Sequence, residues 1–141
     1  MDQESQSKRC ALCPRECKAD RTHGQLGYCG VTDVLKVARA ALHYWEEPCI
    51  SGEAGSGTVF FSGCSLHCVY CQNQEIANGI MGKEITVRRL ADIFLELQEQ
   101  GAVNINLVTP GHYVPQIQRA LLTARREGLL LPIVYNTGSY E

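Results

Sequence analysis

Cys64, Cys68 and Cys71 stand in the run Gly63-Cys-Ser-Leu-His-Cys-Val-Tyr-Cys-Gln-Asn73, a C-x3-C-x2-C triplet. Three closely spaced thiolates can hold three irons of a four-iron cluster, leaving the fourth iron without a protein ligand and open to a small molecule. An open iron implies chemistry rather than electron storage. A closed zinc site suits the triplet less well, because structural zinc takes four ligands and the triplet reaches four only if His67 joins.

A second group, Cys10-x2-Cys13-x3-Cys17-x11-Cys29, supplies four thiolates near the start of the chain. Four is the number that closes a tetrahedral zinc site or completes an auxiliary iron-sulfur cluster. Both metals, and no metal at all, fit the spacing. Pro14, Gly24, Gly27 and Gly30 lie in the connecting loops, as suits a small metal-held segment too short to bury a core of its own. Cys49, beside Pro48, reads as a buried thiol rather than a ligand. His67, inside the triplet loop, is either a hydrogen-bond donor to cluster sulfur or a solvent-facing loop residue. His43 and His112 pose the same alternatives.

The elements that must carry these residues follow from periodicity. Thr58 to Ser62, with Val59, Phe60 and Phe61, reads as a buried strand running into the triplet loop. Val87, Leu90, Phe94 and Leu97 recur at helical spacing between a Thr86 N-cap and a Gly101 stop, which predicts a helix over 86–100. A strand over 104–108 follows, then a helix through Val114, Ile117, Leu121 and Ala124 ending near Gly128, then a strand over 130–135 interrupted by Pro132. Such alternation predicts an α/β fold with parallel strands, and ligands collect at the C-terminal ends of such strands. Cys64, Thr109 and Asn136 fall at those three ends. Before the core, Val34 to Leu42 reads as a further strand, and Gly52, Gly55 and Gly57 suit a turn. The chain thus divides into a Cys-rich segment (1–33), a strand and turn leading inward (34–57), and the α/β core (58–141).

Composition narrows the partners. The 141 residues are 45% hydrophobic and 20% charged with a net charge of -2, so there is no basic footprint for nucleic acid. The pairs Arg88-Arg89 and Arg125-Arg126 read as solvated helix positions. The N-terminus has no apolar h-region and no apolar run approaches membrane-spanning length, which predicts no membrane partner and a cytoplasmic location. In that reducing compartment the 8 cysteines read as ligands or reactive thiols rather than as disulfides.

The triplet loop after a strand, with Tyr70 just before its last cysteine, resembles the radical S-adenosylmethionine (SAM) superfamily. His43-Tyr-Trp-Glu-Glu-Pro48, Ile50-Ser-Gly52, Gly55-Ser-Gly57, Phe60-Phe-Ser-Gly-Cys64 and Cys71-Gln-Asn73 are similar to proteins related to the pyruvate formate-lyase activating enzyme, the glycyl-radical-activase-like branch. That resemblance implies a 4Fe-4S cluster on Cys64, Cys68 and Cys71 whose open iron chelates S-adenosyl-L-methionine. It also implies reductive cleavage to methionine and a 5'-deoxyadenosyl radical that abstracts hydrogen, from a protein glycine in that branch. A reductant such as flavodoxin or ferredoxin is the implied electron source. Tyr70 would contact the adenine region, its alternative being core packing. Where many superfamily members carry Gly-Gly-Glu, this chain has Thr109-Pro-Gly-His-Tyr113, so the Thr109 hydroxyl or nearby carbonyls would receive the cofactor's amino group. Asn136 lies in the polar turn that touches the cofactor. The implied fold is a partial (β/α)6 barrel of which 58–141 forms the first half, the remainder coming from a longer protein or another chain. Glu46 and Glu47 would then form an acidic pair near the barrel mouth. The alternative function is a non-catalytic iron-sulfur or zinc-binding electron-transfer module.

Overall fold

In the computed structural model, which describes residues 9–141, the regular elements in chain order are β1 (Lys36–His43), α1 (Pro48–Ser51), β2 (Ser56–Phe61), α2 (Gln74–Ala77), β3 (Lys83–Glu84), α3 (Val87–Glu99), β4 (Ile105–Val108), α4 (Val114–Arg126) and β5 (Ile133–Asn136). They build one mixed sheet in the order β3-β1-β2-β4-β5. Strands β2, β4 and β5 run parallel, as the alternation predicts. β1 pairs antiparallel with both β2 and β3.

Register decides which side chains meet the helices. Val59 lies beside Leu107 and Gly57 beside Ile105, and because side chains alternate across a strand, Val59, Phe61, Ile105 and Leu107 share one face. Those four join Leu90, Phe94, Leu97, Ile117, Ala120 and Ala124 in a single buried core. α3 begins where the Thr86 hydroxyl accepts from the Arg89 N–H at 3.0 Å, and it stops before Gly101, whose φ of +92° only glycine adopts at no steric cost. α4 is held at its far end by the Arg125 guanidinium, which donates to the Leu129 and Leu131 carbonyls at 2.8 and 2.7 Å. Arg88 reaches Asp92 and Glu127, joining α3 to the end of α4. Such exposed pairs are screened by solvent and add little to stability.

Three expectations need correction. The last strand starts at Ile133, after Pro132: the proline offers its carbonyl to the Ile105 N–H at 2.9 Å but has no N–H to continue the ladder. The acidic pair stands away from the cysteine loop, because β1 is antiparallel and its end, His43, lies beside Ser56 at the start of β2. Glu46 there accepts from the Asn106 amide at 3.3 Å. Cys49 is exposed rather than buried, since the single turn of α1 turns Ser51 inward instead. Among the described residues no helix is long and apolar enough to cross a membrane.

Candidate metal centre

The triplet loop is fixed at its first cysteine. Gly63, just past β2, has φ +89°, and a Cβ there would stand 2.7 Å from the Cys29 carbonyl oxygen and 2.9 Å from Val31. Glycine lets the two segments touch: the Cys64 N–H donates to the Cys29 carbonyl at 3.1 Å. The Leu66 N–H then points at the Cys64 sulfur, 3.4 Å away, and the Cys71 N–H closes a turn on the Cys68 carbonyl at 3.1 Å. All three cysteines are half-buried.

Histidines brace the loop from two sides. His67, in a left-handed backbone conformation, places Nε2 2.8 Å from the Tyr28 carbonyl and sets its ring edge-on to Tyr28 at 5.1 Å. It therefore ties the loop to the N-terminal segment. His112 is 4% exposed, and its Nε2–H donates to the Ser62 carbonyl at 2.7 Å. Burial pushes its pKa down to about 4, with the Ser62 bond opposing and Arg21 adding to the fall. It is a neutral strut under the strand end.

The parallel strand ends converge as their topology requires. A cavity of about 160 Å³ is lined by Cys64, Thr109, His112, Asn136 and Gly138 among others. A smaller one, about 80 Å³, lies between Cys64, Cys71, Asn73 and Thr109. Thr109 holds φ +55°, and its N–H donates to the Asn136 carbonyl at 3.1 Å, joining the ends of β4 and β5. Tyr70 is placed differently: it is 87% exposed, outside the core and outside both cavities.

Among the described residues no three His, Cys, Asp or Glu side chains are gathered tightly enough to hold one ion. A four-iron cluster asks something else of the triplet, since each thiolate binds a separate iron. Soft sulfur donors, an amide N–H aimed at Cys64 Sγ and cavities flanking that cysteine fit such a cluster. Cys64, Cys68 and Cys71 would hold it.

The N-terminal segment packs against this loop through residues the sequence leaves unmarked. Arg15 donates to the Ser65 carbonyl at 2.9 Å and stacks over Tyr28 and Tyr140 at 4.3 and 4.9 Å. Arg21 is buried and bonds the His112 carbonyl at 2.8 Å. Neither arginine sits in a periodic pattern. Only their position between cysteines hinted at a role. Around Arg21 lie Cys10, Cys17 and Cys29. Burial raises the Cys17 pKa, but hydrogen bonds from the Ala19 and Tyr28 backbones and from Cys10, with the Arg21 charge, outweigh it and hold the thiol below its ordinary value. For Cys29, 6% exposed, burial wins and pushes the thiol up. Cys13 lies half-buried on the adjoining turn.

Comparison with known proteins addresses the same region. An uncharacterized protein of Methanocaldococcus jannaschii is 27% identical over 140 residues, covering 94% of this chain and 39% of that protein. The chain thus spans well under half the length of that relative. No solved structure matches it. Residues 50–138 match the family described as 4Fe-4S single cluster domain, a span that holds the whole triplet with Thr109 and Asn136 and leaves out Cys10 to Cys29. By that match, over more than half its length and including the whole cysteine loop, the chain belongs to the 4Fe-4S single cluster domain family.

Proposed function

We propose that this chain is the cluster-bearing part of a radical SAM enzyme of the glycyl-radical-activase-like branch, built on the first half of a partial (β/α)6 barrel. One observation carries the reading: Cys64, Thr109 and Asn136, from three successive parallel strand ends, line a single cavity. When bound, the cluster supplies the electron that splits S-adenosyl-L-methionine to methionine and a 5'-deoxyadenosyl radical. The rest falls to the protein. Thr109 and Asn136 offer hydroxyl, carbonyl and amide groups suited to an amino-acid moiety, the Thr109 hydroxyl or a carbonyl accepting from its ammonium. His112, neutral, holds the Ser62 carbonyl and so the approach to Cys64. A volume of about 160 Å³ is below the roughly 300–1,000 Å³ of sites that enclose a whole ligand. It suits the methionine end of the cofactor, and the nucleoside would need walls from further chain. Flavodoxin or ferredoxin is the proposed reductant and a protein glycine the proposed hydrogen donor.

The second reading, an electron-transfer module, would keep the cysteines and bind no cofactor. Anaerobic reconstitution with iron and sulfide, then electron paramagnetic resonance of the reduced protein with and without S-adenosyl-L-methionine, separates the two. The expected result is a spectrum that changes on adding the cofactor. An unchanged spectrum overturns the enzyme reading.

A further inference from the structure

The N-terminal cysteines lie outside the matched family span, and the proposed reaction makes no use of them. Their surroundings are nevertheless unusual. Arg21 is 3% exposed, and its guanidinium donates to the carbonyls of Val31, Thr32 and His112 at 3.3, 2.6 and 2.8 Å. Among the described residues it makes no ion pair. Carbonyls satisfy its N–H groups but leave a full positive charge buried, and buried charges are ordinarily paired with an opposite charge.

Beyond those carbonyls, the guanidinium lies over the Tyr113 ring at 5.6 Å and faces sulfur. Cys10 Sγ lies 3.9 Å from Arg21 Nη1. A Cβ on Gly27 would stand 3.1 Å from both Cys29 Sγ and Arg21 Cδ, so these two side chains flank one point. Cys17 is exposed, and its thiol is held below its ordinary value by neighbours that include Cys10 and the Arg21 charge. All four cysteines are free thiols.

The backbone tells the same story independently. Residues 9–35 form no regular element except a three-residue turn of 3-10 helix at Arg21–His23. Yet Glu16 and Lys18, on either side of Cys17, hold φ +41° and +55°. Non-glycine residues keep such conformations only where their surroundings over-determine them. Few apolar side chains here are buried, namely Ala19, Cys29, Val31 and Leu35, while Leu12, Leu26 and Tyr28 are exposed. That is too little core to impose the strain.

We propose that Cys10, Cys13, Cys17 and Cys29 form a second, closed metal-thiolate centre with the buried Arg21 guanidinium as its counter-charge. Four thiolates on zinc, or on a four-iron cluster, carry net negative charge, which the neutral thiols lack. Among the described residues no three of these side chains are already gathered for one ion, so each thiol would release its proton to solvent as the metal binds and the metal would draw the sulfurs together. Through the Cys29 carbonyl, which accepts from the Cys64 N–H, the centre would also support the triplet loop.

The full chain carrying Cys64→Ala, Cys68→Ala and Cys71→Ala tests this without any contribution from the triplet. Metal analysis of the anaerobically purified protein, before and after reconstitution with iron and sulfide, should find one zinc or one four-iron cluster per chain. The stoichiometry identifies which. Cobalt(II) added to the demetallated protein should give a thiolate charge-transfer band. In the reverse variant, Cys10→Ser with Cys29→Ser, that metal should be lost while the triplet still takes up iron. Arg21→Met should weaken retention against a chelator about tenfold, and Arg21→Lys should restore most of it. A triple-Ala protein with native far-UV circular dichroism but no zinc, no iron and no cobalt band overturns the site. If that variant fails to fold, the decision rests on the parent: total metal no greater than one four-iron cluster overturns the site equally. Equal retention in Arg21→Met and parent overturns the counter-charge role.

Discussion

Each cysteine of the triplet has its own support, so the three are not interchangeable even though their chemistry is the same. Cys64 is held by the Cys29 carbonyl and receives the Leu66 amide, whereas Cys68 and Cys71 are linked by one turn bond. Replacing any of them by Ala should abolish the triplet's share of the brown four-iron absorption in reconstituted protein, while Cys49→Ala should leave it intact. Parental iron and sulfide content in Cys68→Ala would contradict the ligand set. The buried His112 makes a separate prediction. Its pKa is about 4 in the folded chain against about 6.5 when unfolded. Between those values the unfolded chain binds the extra proton, so stability should fall as pH drops from about 6.5 to 4, by at most about 3 kcal/mol. His112→Gln keeps a donor for Ser62 and removes the titration, so its urea denaturation should show a shallower loss over that window. Parallel curves for variant and parent would rule the histidine out. The triplet was plain in the sequence because its ligands are neighbours along the chain. His112 and Arg21 were not, because they matter only through burial and partners up to 91 residues away.

Helices proved easier to read than strand directions. α3 announces itself through Thr86, the spacing of Leu90, Phe94 and Leu97, and Gly101, all local signals. Thr86→Ala should therefore cost about 1 kcal/mol in chemical denaturation and leave cluster content unchanged. β1 was legible as a strand, yet nothing in the alternation of its residues says that it runs antiparallel to β2, and the misplacement of Glu46 and Glu47 follows from that one unknown. The link from β2 to the loop is the most sensitive joint. Gly63→Ala combines a left-handed φ with a Cβ driven against the Cys29 carbonyl and a Val31 methyl, and the carbonyl cannot retreat without moving backbone. Cluster incorporation should drop several-fold, and Tm should fall as for a loss of roughly 1–3 kcal/mol. An alanine variant that reconstitutes like the parent would mean that the loop tolerates displacement of Cys64.

At the scale of the molecule, the ladder ends on one side at two-residue β3 and on the other at β5, whose outer edge lies beyond the last pairing. A parallel sheet normally has both faces and edges covered. Here the helices cover the face carrying Val59 and Leu107. The opposite face carries Thr58 and Asn106, and the buried Asn106 Oδ1 has no hydrogen-bond partner among the described residues. Together with the small cavity at Cys64 and a relative more than twice as long, this supports the proposal that further strands complete the site. Extending the chain, or supplying a complementary one, should raise dithionite-dependent formation of 5'-deoxyadenosine and methionine. Equal rates from the 141-residue chain and the extended protein would refute that requirement.

Thr109 adds a consequence for laboratory evolution. A β-branched residue at φ +55° is held against a preference of roughly 1–2 kcal/mol for the right-handed side, a preference that glycine escapes. A selection scored on heat survival alone would therefore drift toward glycine at this position. It would discard the one hydroxyl that borders both cavities beside Cys64, and the survivors would be hardier proteins with a blunted site.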